Sequence, residues 1–281
     1  MKKFKVLIGN GDSYSAGDET ASPQFYPKYA KLYPAGDFQK PESKLREDWI
    51  KESFHTPVHF EYKKQCKLLS YPNVLASLLK LEVVNLSQSG QANPTTTATT
   101  IGYIEDHIRP YYDLEEILVV INLTNFDRLK IPMPEDSKQH SPDSIPNLYN
   151  CQSLLLGWPM ISHHIPKELI NHFQLASDKY LILENIASIL SLIKYFEQNS
   201  IDYVLTDSNL YRMSRERHAD QYKNFLAQLP IIDNDYTFLN QLTPGELQIC
   251  EFGHYSAEGH RIFASHLEKL IRARFPNKLN D

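Results

Sequence analysis

The sequence predicts an α/β fold in which a mostly parallel sheet lies between two layers of helices. Two observations predict it. Short apolar runs with the length of buried strands recur along the chain, and each is followed by polar residues and then a helical pattern. Such alternation is the pattern of parallel sheets covered on both faces. The 281 residues are 42% hydrophobic, enough for one sizeable core. The chain is therefore read as a single domain over 1–281 with two insertions, at about 19–64 and 131–172.

The strand candidates are Lys5–Ile8, Val83–Leu86, Ile117–Ile121 and Tyr203–Leu205, with a fifth at 229–232 or 236–239. Helices are expected at roughly 66–80, 95–109, 174–199, 215–228 and 257–274. The clearest is the third, where Leu183, Ile186, Ile189, Leu190, Ile193 and Phe196 recur at helical spacing. Two segments break the alternation. Residues 19–64 carry Phe25, Tyr26, Tyr29, Trp49 and Tyr62 among many charges, and residues 131–172 carry six prolines. Each begins beyond the carboxyl end of an expected strand, the edge where open α/β sheets bind ligands. They are read as insertions that frame a site, the plainer alternative being surface decoration or an oligomer contact.

Composition narrows the function classes. A net charge of −5 offers no global attraction to nucleic acid or to an anionic membrane. The apolar run Val6-Leu7-Ile8 ends at Gly9, too short for a secretory leader, and no stretch has the length of a bilayer span. Cys66, Cys151 and Cys250 are few, odd in number and far apart, as free thiols in a reducing compartment are, so a cytoplasmic location is expected. His163 and His164 have no third ligand at zinc spacing, and no metal or cofactor is expected. Gly9-x-Gly11 begins a dinucleotide fingerprint, but Tyr14 stands where its third glycine belongs.

Chemistry is suggested at two places. After the first strand, Gly9-Asn10-Gly11-Asp12-Ser13 forms a tight polar turn that presents a hydroxyl at the sheet edge. Ser13 there is either a turn or N-cap residue or, given a base, a nucleophile whose own N–H can face an oxyanion. Asp12 is read as steadying the turn. Near the other end runs Glu251-Phe252-Gly253-His254-Tyr255-Ser256. Ser256 is placed to N-cap the last helix, which leaves His254 in the loop before it. Glu251 is close enough in sequence to reach the imidazole and hold its tautomer.

Together, Gly11-Asp12-Ser13 and Glu251-x-x-His254 resemble the SGNH/GDSL hydrolase family, whose nucleophile lies in an N-terminal Gly-Asp-Ser block and whose acid and base lie in a C-terminal Asp-x-x-His block. The resemblance implies a three-layer α/β/α sandwich with a flavodoxin-like sheet of about five strands. It also implies a glycine after the second strand and an asparagine after the third, both donors to an oxyanion hole. Gly90 and Asn125 stand there. This chain departs from the pattern at Glu251 for aspartate, at Tyr255 after the histidine, and at Leu123 and Phe126 around Asn125.

By that resemblance the chain is a serine esterase. Its catalytic residues are Ser13, His254 and Glu251, and its oxyanion donors are Ser13, Gly90 and Asn125. Asp12 and Asn93 are candidate substrate contacts. The substrate expected is a small-molecule or carbohydrate O-acyl ester. An O-acyltransferase and a non-catalytic binding module on the same fold are the alternatives.

Overall fold

All four strands of the main sheet run the same way in the computed structural model, which describes residues 2–34, 44, 48, 57–89, 91–124, 128–132, 151–155, 178–207, 229–230, 248–250 and 254–279. They are β1 (Val6–Asn10), β2 (Glu82–Asn85), β3 (Ile117–Leu123) and β4 (Asp202–Asp207), in the order β2-β1-β3-β4. The first strand thus lies inside the sheet, as in flavodoxin-like folds. The described sheet has four strands where about five were expected. Of the candidate fifth strands only Leu229 and Pro230 are described, and neither is extended into a strand.

Why these segments are strands follows from their two faces. In β3 every residue is buried, so the run is continuously apolar rather than alternating. Its side chains still divide with period two. Ile117, Val119, Ile121 and Leu123 join one core, while Leu118 and Val120 join the other. β1 divides in the same way, with Val6 and Ile8 on one side and Leu7 on the other.

The helices are α1 (Pro57–Leu69), α2 (Tyr71–Leu79), α3 (Asn93–Tyr103), α4 (Asp178–Gln198) and α5 (Ala257–Arg274). α2 and α5 cover one face through Leu75, Leu79, Phe263 and Leu267, and α3 and α4 cover the other through Ile101, Ile186, Ile189 and Phe196. Each such fully buried apolar side chain contributes roughly 1.5–3 kcal/mol. The helix expected at 66–80 is two helices. Ser70 is extended at ψ 152° and Pro72, lacking an N–H, starts the second. The expected helix 95–109 ends as a π-helical turn at Ile104–Ile108. The expected helix at 215–228 lies outside the described residues.

The described part of the 19–64 segment has its own small core with the following helix. Ala21, Tyr26, Tyr29, Tyr62 and Cys66 are buried together, and Tyr26 meets Tyr62 edge to face with centroids 5.1 Å apart. Around the 131–172 segment only the backbone of a strand pair is described, Arg128–Pro132 running antiparallel to Cys151–Leu155.

Candidate active site

The turn after β1 sits where the strands end, and its geometry follows from three small contacts. Asn10 is wholly buried and donates through Nδ2 to Thr99 Oγ1 at 2.9 Å and Thr100 Oγ1 at 2.8 Å. Its Oδ1 accepts the Gly11 N–H at 2.8 Å, which closes the turn. Gly11 has no room for a side chain: a Cβ there would lie 2.5 Å from Ser15 Oγ and 2.8 Å from Asn122 Cβ. Ser13 then opens a single helical turn, Ser13–Ala16, and its backbone is described while its side chain is not.

Asp12 and Asn93 meet at one residue, Thr124. Thr124 Oγ1 donates to Asp12 Oδ2 at 2.8 Å. Asn93 Nδ2 donates to Thr124 O at 2.9 Å and to Asn185 Oδ1 at 3.0 Å, while its Oδ1 accepts the Thr124 N–H at 2.9 Å. Asp12 is 0% and Asn93 2% exposed. Expected as substrate contacts, both turn into the protein, where they tie the turn that carries Ser13 and the head of α3 to the end of β3. The physical reason is that Thr124, just past the end of β3, has a backbone N–H and C=O beyond the ladder that the buried Asn93 amide satisfies, while its hydroxyl meets the buried Asp12 carboxylate.

The Cys250 N–H donates to His254 O at 2.6 Å, and Ile249 bridges Tyr255. Ile249 also pairs with Tyr33 of the 19–64 segment. Ser256 caps α5 as expected, accepting the Gly259 N–H at 3.2 Å.

The carboxylate on the imidazole comes from Glu19. Its Oε2 is 2.7 Å from His254 Nδ1, and the His254 N–H donates to the same oxygen at 3.4 Å. Glu19 is 2% exposed, and its backbone is left-handed, with φ at 68°. Burial works to lower the His254 pKa, but the Glu19 hydrogen bond and charge, with Asp18 and Asp12 behind them, outweigh it and leave it above the ordinary value. Asp18 is engaged elsewhere: Lys63 Nζ donates to its Oδ1 at 2.8 Å and Ser89 Oγ donates to its Oδ2. Burial would raise the Asp18 pKa, yet Lys63 and then His254 hold it below the usual carboxylate range.

Glu251, Gly90 and Asn125 lie outside the described residues. Glu19 was missed at the sequence level because nothing local marks it. It follows Gly17, itself at φ 75°, within a charged segment that reads as surface. Among the described residues no three His, Cys, Asp or Glu side chains are placed to hold a metal ion, and no helix is long and apolar enough to cross a membrane.

No protein-family model matches this chain, and no curated protein does. Solved structures similar to it include carbohydrate esterases and a G-D-S-L family protein. A family-two carbohydrate esterase from Clostridium thermocellum, in complex with cellohexaose, is 14% identical, with a TM-score of 0.43 over 98% of this chain and 66% of its own. This chain thus spans about two thirds of that esterase. A catalytic mutant of an acetylxylan esterase from Geobacillus stearothermophilus is 15% identical, with a TM-score of 0.44 over 96% of this chain and 95% of its own. A protein assigned to the G-D-S-L lipolytic family from Desulfitobacterium hafniense DCB-2 is 13% identical, with a TM-score of 0.40 over 95% and 99% of the two chains.

Proposed function

We propose that this protein is a serine hydrolase of the SGNH/GDSL type that cleaves an O-acyl ester. The observation that carries the reading is His254 at the carboxyl edge of the sheet, with a buried carboxylate 2.7 Å from Nδ1. A carboxylate there keeps the proton on Nδ1, so Nε2 carries the lone pair that a general base needs. The Gly11-Asp12-Ser13 turn stands at the same edge, following β1.

In this reading Ser13 Oγ attacks the ester carbonyl carbon and its proton passes to His254 Nε2. The oxyanion is met by the N–H groups of Ser13 and Gly90 and by the side chain of Asn125. Collapse breaks the bond to the alkoxy oxygen, which leaves as the alcohol with the proton from Nε2. Water then adds to the acyl-enzyme by the same route and releases the acid. Leu123, in place of the glycine that the family has before its asparagine, alters the frame of one oxyanion donor. Loss of one such donor costs ~10²–10³ in rate, so the site tolerates the change as a slower enzyme. The substrate class follows from the resemblance: an acylated carbohydrate or another small ester. Cys66 and Cys250 are buried free thiols, which fits a reducing compartment such as the cytoplasm.

Labelling of the purified protein with a fluorophosphonate tests the reading. Wild type should label, and Ser13→Ala and His254→Ala should not. A folded wild type that stays unlabelled and hydrolyses no acetyl ester would overturn it, in favour of a non-catalytic module. Acyl transfer to an added sugar in preference to water would make it a transferase.

A further inference from the structure

We propose that Glu19, from the loop that follows the nucleophile, is the acid that positions His254, so that one stretch of seven residues supplies both the nucleophile and the orienting carboxylate. This rests on the reading of His254 as the base for Ser13. It departs from the expectation that the acid stands three residues before the histidine, at Glu251.

The geometry assigns the role. Oε2 of Glu19 takes both the imidazole Nδ1, at 2.7 Å, and the His254 backbone N–H, at 3.4 Å, which fixes the ring and the chain that bears it. Glu19 is 2% exposed, and a carboxylate so placed is costly unless a cation or donors meet it. The other carboxylate of the loop, Asp18, is committed to Lys63 and Ser89.

The backbone of the loop points the same way. A non-glycine residue at φ 68° is strained, and such strain persists where the surroundings over-determine it. Here they do. Thr20 Oγ1 donates to Gly17 O at 2.7 Å and lies 3.2 Å from Cys66 O, and the Ser22 N–H donates to Glu19 O at 2.8 Å. Gly17 packs so closely on α1 that a Cβ would lie 2.5 Å from Cys66 O. The aromatic core of the 19–64 insertion thus serves as the mount for Glu19. Cys250, whose N–H donates to His254 O, has its Sγ 3.8 Å from Glu19 O, so the backbone at His254 leans on the same loop.

The test compares Glu19→Gln, Glu19→Asp and Glu251→Gln in the full chain, with 4-nitrophenyl acetate as the probe ester. Glu19→Gln should lower kcat/KM by ~10²–10⁴-fold, the range for a triad acid whose amide leaves the wrong tautomer. The acidic limb of its pH profile should move to lower pH, because the group that raises the His254 pKa is gone while burial remains. Asp18, Asp12 and His260 also act on this imidazole and stay the same in all variants. Glu19→Asp should recover part of the rate, and Glu251→Gln should stay within threefold of wild type. Nitrogen NMR of the wild-type histidines reads the pairing without turnover: His254 should titrate above about 6.5 with its Nδ1–H far downfield. That NMR signature decides the matter if the glutamine variant does not fold or if the wild type is inert toward the ester. An unmoved acidic limb in Glu19→Gln, a collapse in Glu251→Gln, or a wild-type His254 that titrates below its ordinary value would overturn the proposal.

Discussion

Asn93 grips Thr124 by both of its backbone polar groups, donating to the carbonyl and accepting from the N–H, each at 2.9 Å. The pair joins the first residue of α3 to the residue after β3, and Asn185 of α4 closes the network from behind. Replacing Asn93 with alanine would leave buried donors and acceptors unmet. We expect a loss of ~2–4 kcal/mol, since each orphaned buried group costs about 1–3 kcal/mol. Urea unfolding would measure it. A loss below about 1 kcal/mol would mean that the network is replaceable.

Gly11 offers the sharpest steric test. A methyl group at this position meets Ser15 Oγ, Asn122 Cβ and Asn122 O, the last at 3.0 Å, so part of the clash is with backbone. Gly11→Ala should cost ~1–3 kcal/mol and displace the turn that carries Ser13. Fluorophosphonate labelling should fall further than stability does. A variant that melts and labels like wild type would show that the turn yields without consequence.

Acid stability should be set in part by His260. The ring is 1% exposed, accepts the Tyr71 N–H on Nδ1 at 3.1 Å, and stacks against Tyr71. Burial, aided by the charge of His254, pushes its pKa down to about 3. A depressed folded-state pKa means that the unfolded chain binds the proton first. The stability in question is therefore whole above about pH 6.5 and lost as pH falls toward 3. Between pH 6.5 and 4.5 the loss is ~2 kcal/mol. His254, raised rather than lowered, acts in the opposite sense. His260→Asn keeps an acceptor for Tyr71, so it should flatten the pH dependence of stability over that interval. An unchanged slope would rule out His260 as the titrating group.

Ser256 caps α5 one residue after Tyr255 and two after His254. Ser256→Ala should cost about 1 kcal/mol of stability, the usual worth of an N-cap. Because the Glu19 contact is made by the same short stretch, the rate on an ester should fall by a few fold while the melt shifts only modestly. Equal stability in the two proteins would mean that solvent caps the helix as well as serine does.

Much of the architecture was open to a reading of sequence. All four main strands lie where apolar runs predict them, though β1, β3 and β4 each extend two residues further, to Asn10, Leu123 and Asp207. Those added residues are where the site begins, and Gly9, Asn10, Asn122 and Asp207 among them are of types depleted in strands. The break at Ser70 shows in the sequence only as Pro72, which can also sit inside a continuing pattern. Asp12 and Asn93 were visible as polar residues near the site. Which way they turn depends on Thr124, more than thirty residues from either, so spacing alone could not say.

By itself the sequence determined the layering, the parallel sheet and the place of Ser13 and His254 at opposite ends of the chain. These follow from periodicity and short motifs, which are local properties of a chain. Only the tertiary structure decided that Glu19 meets His254 across 235 positions, and that an aromatic cluster packs beside its loop. A carboxylate is an unremarkable surface residue until folding removes its water. Its partner is then whichever donor the closed fold brings within reach, and that is a matter of packing rather than pattern.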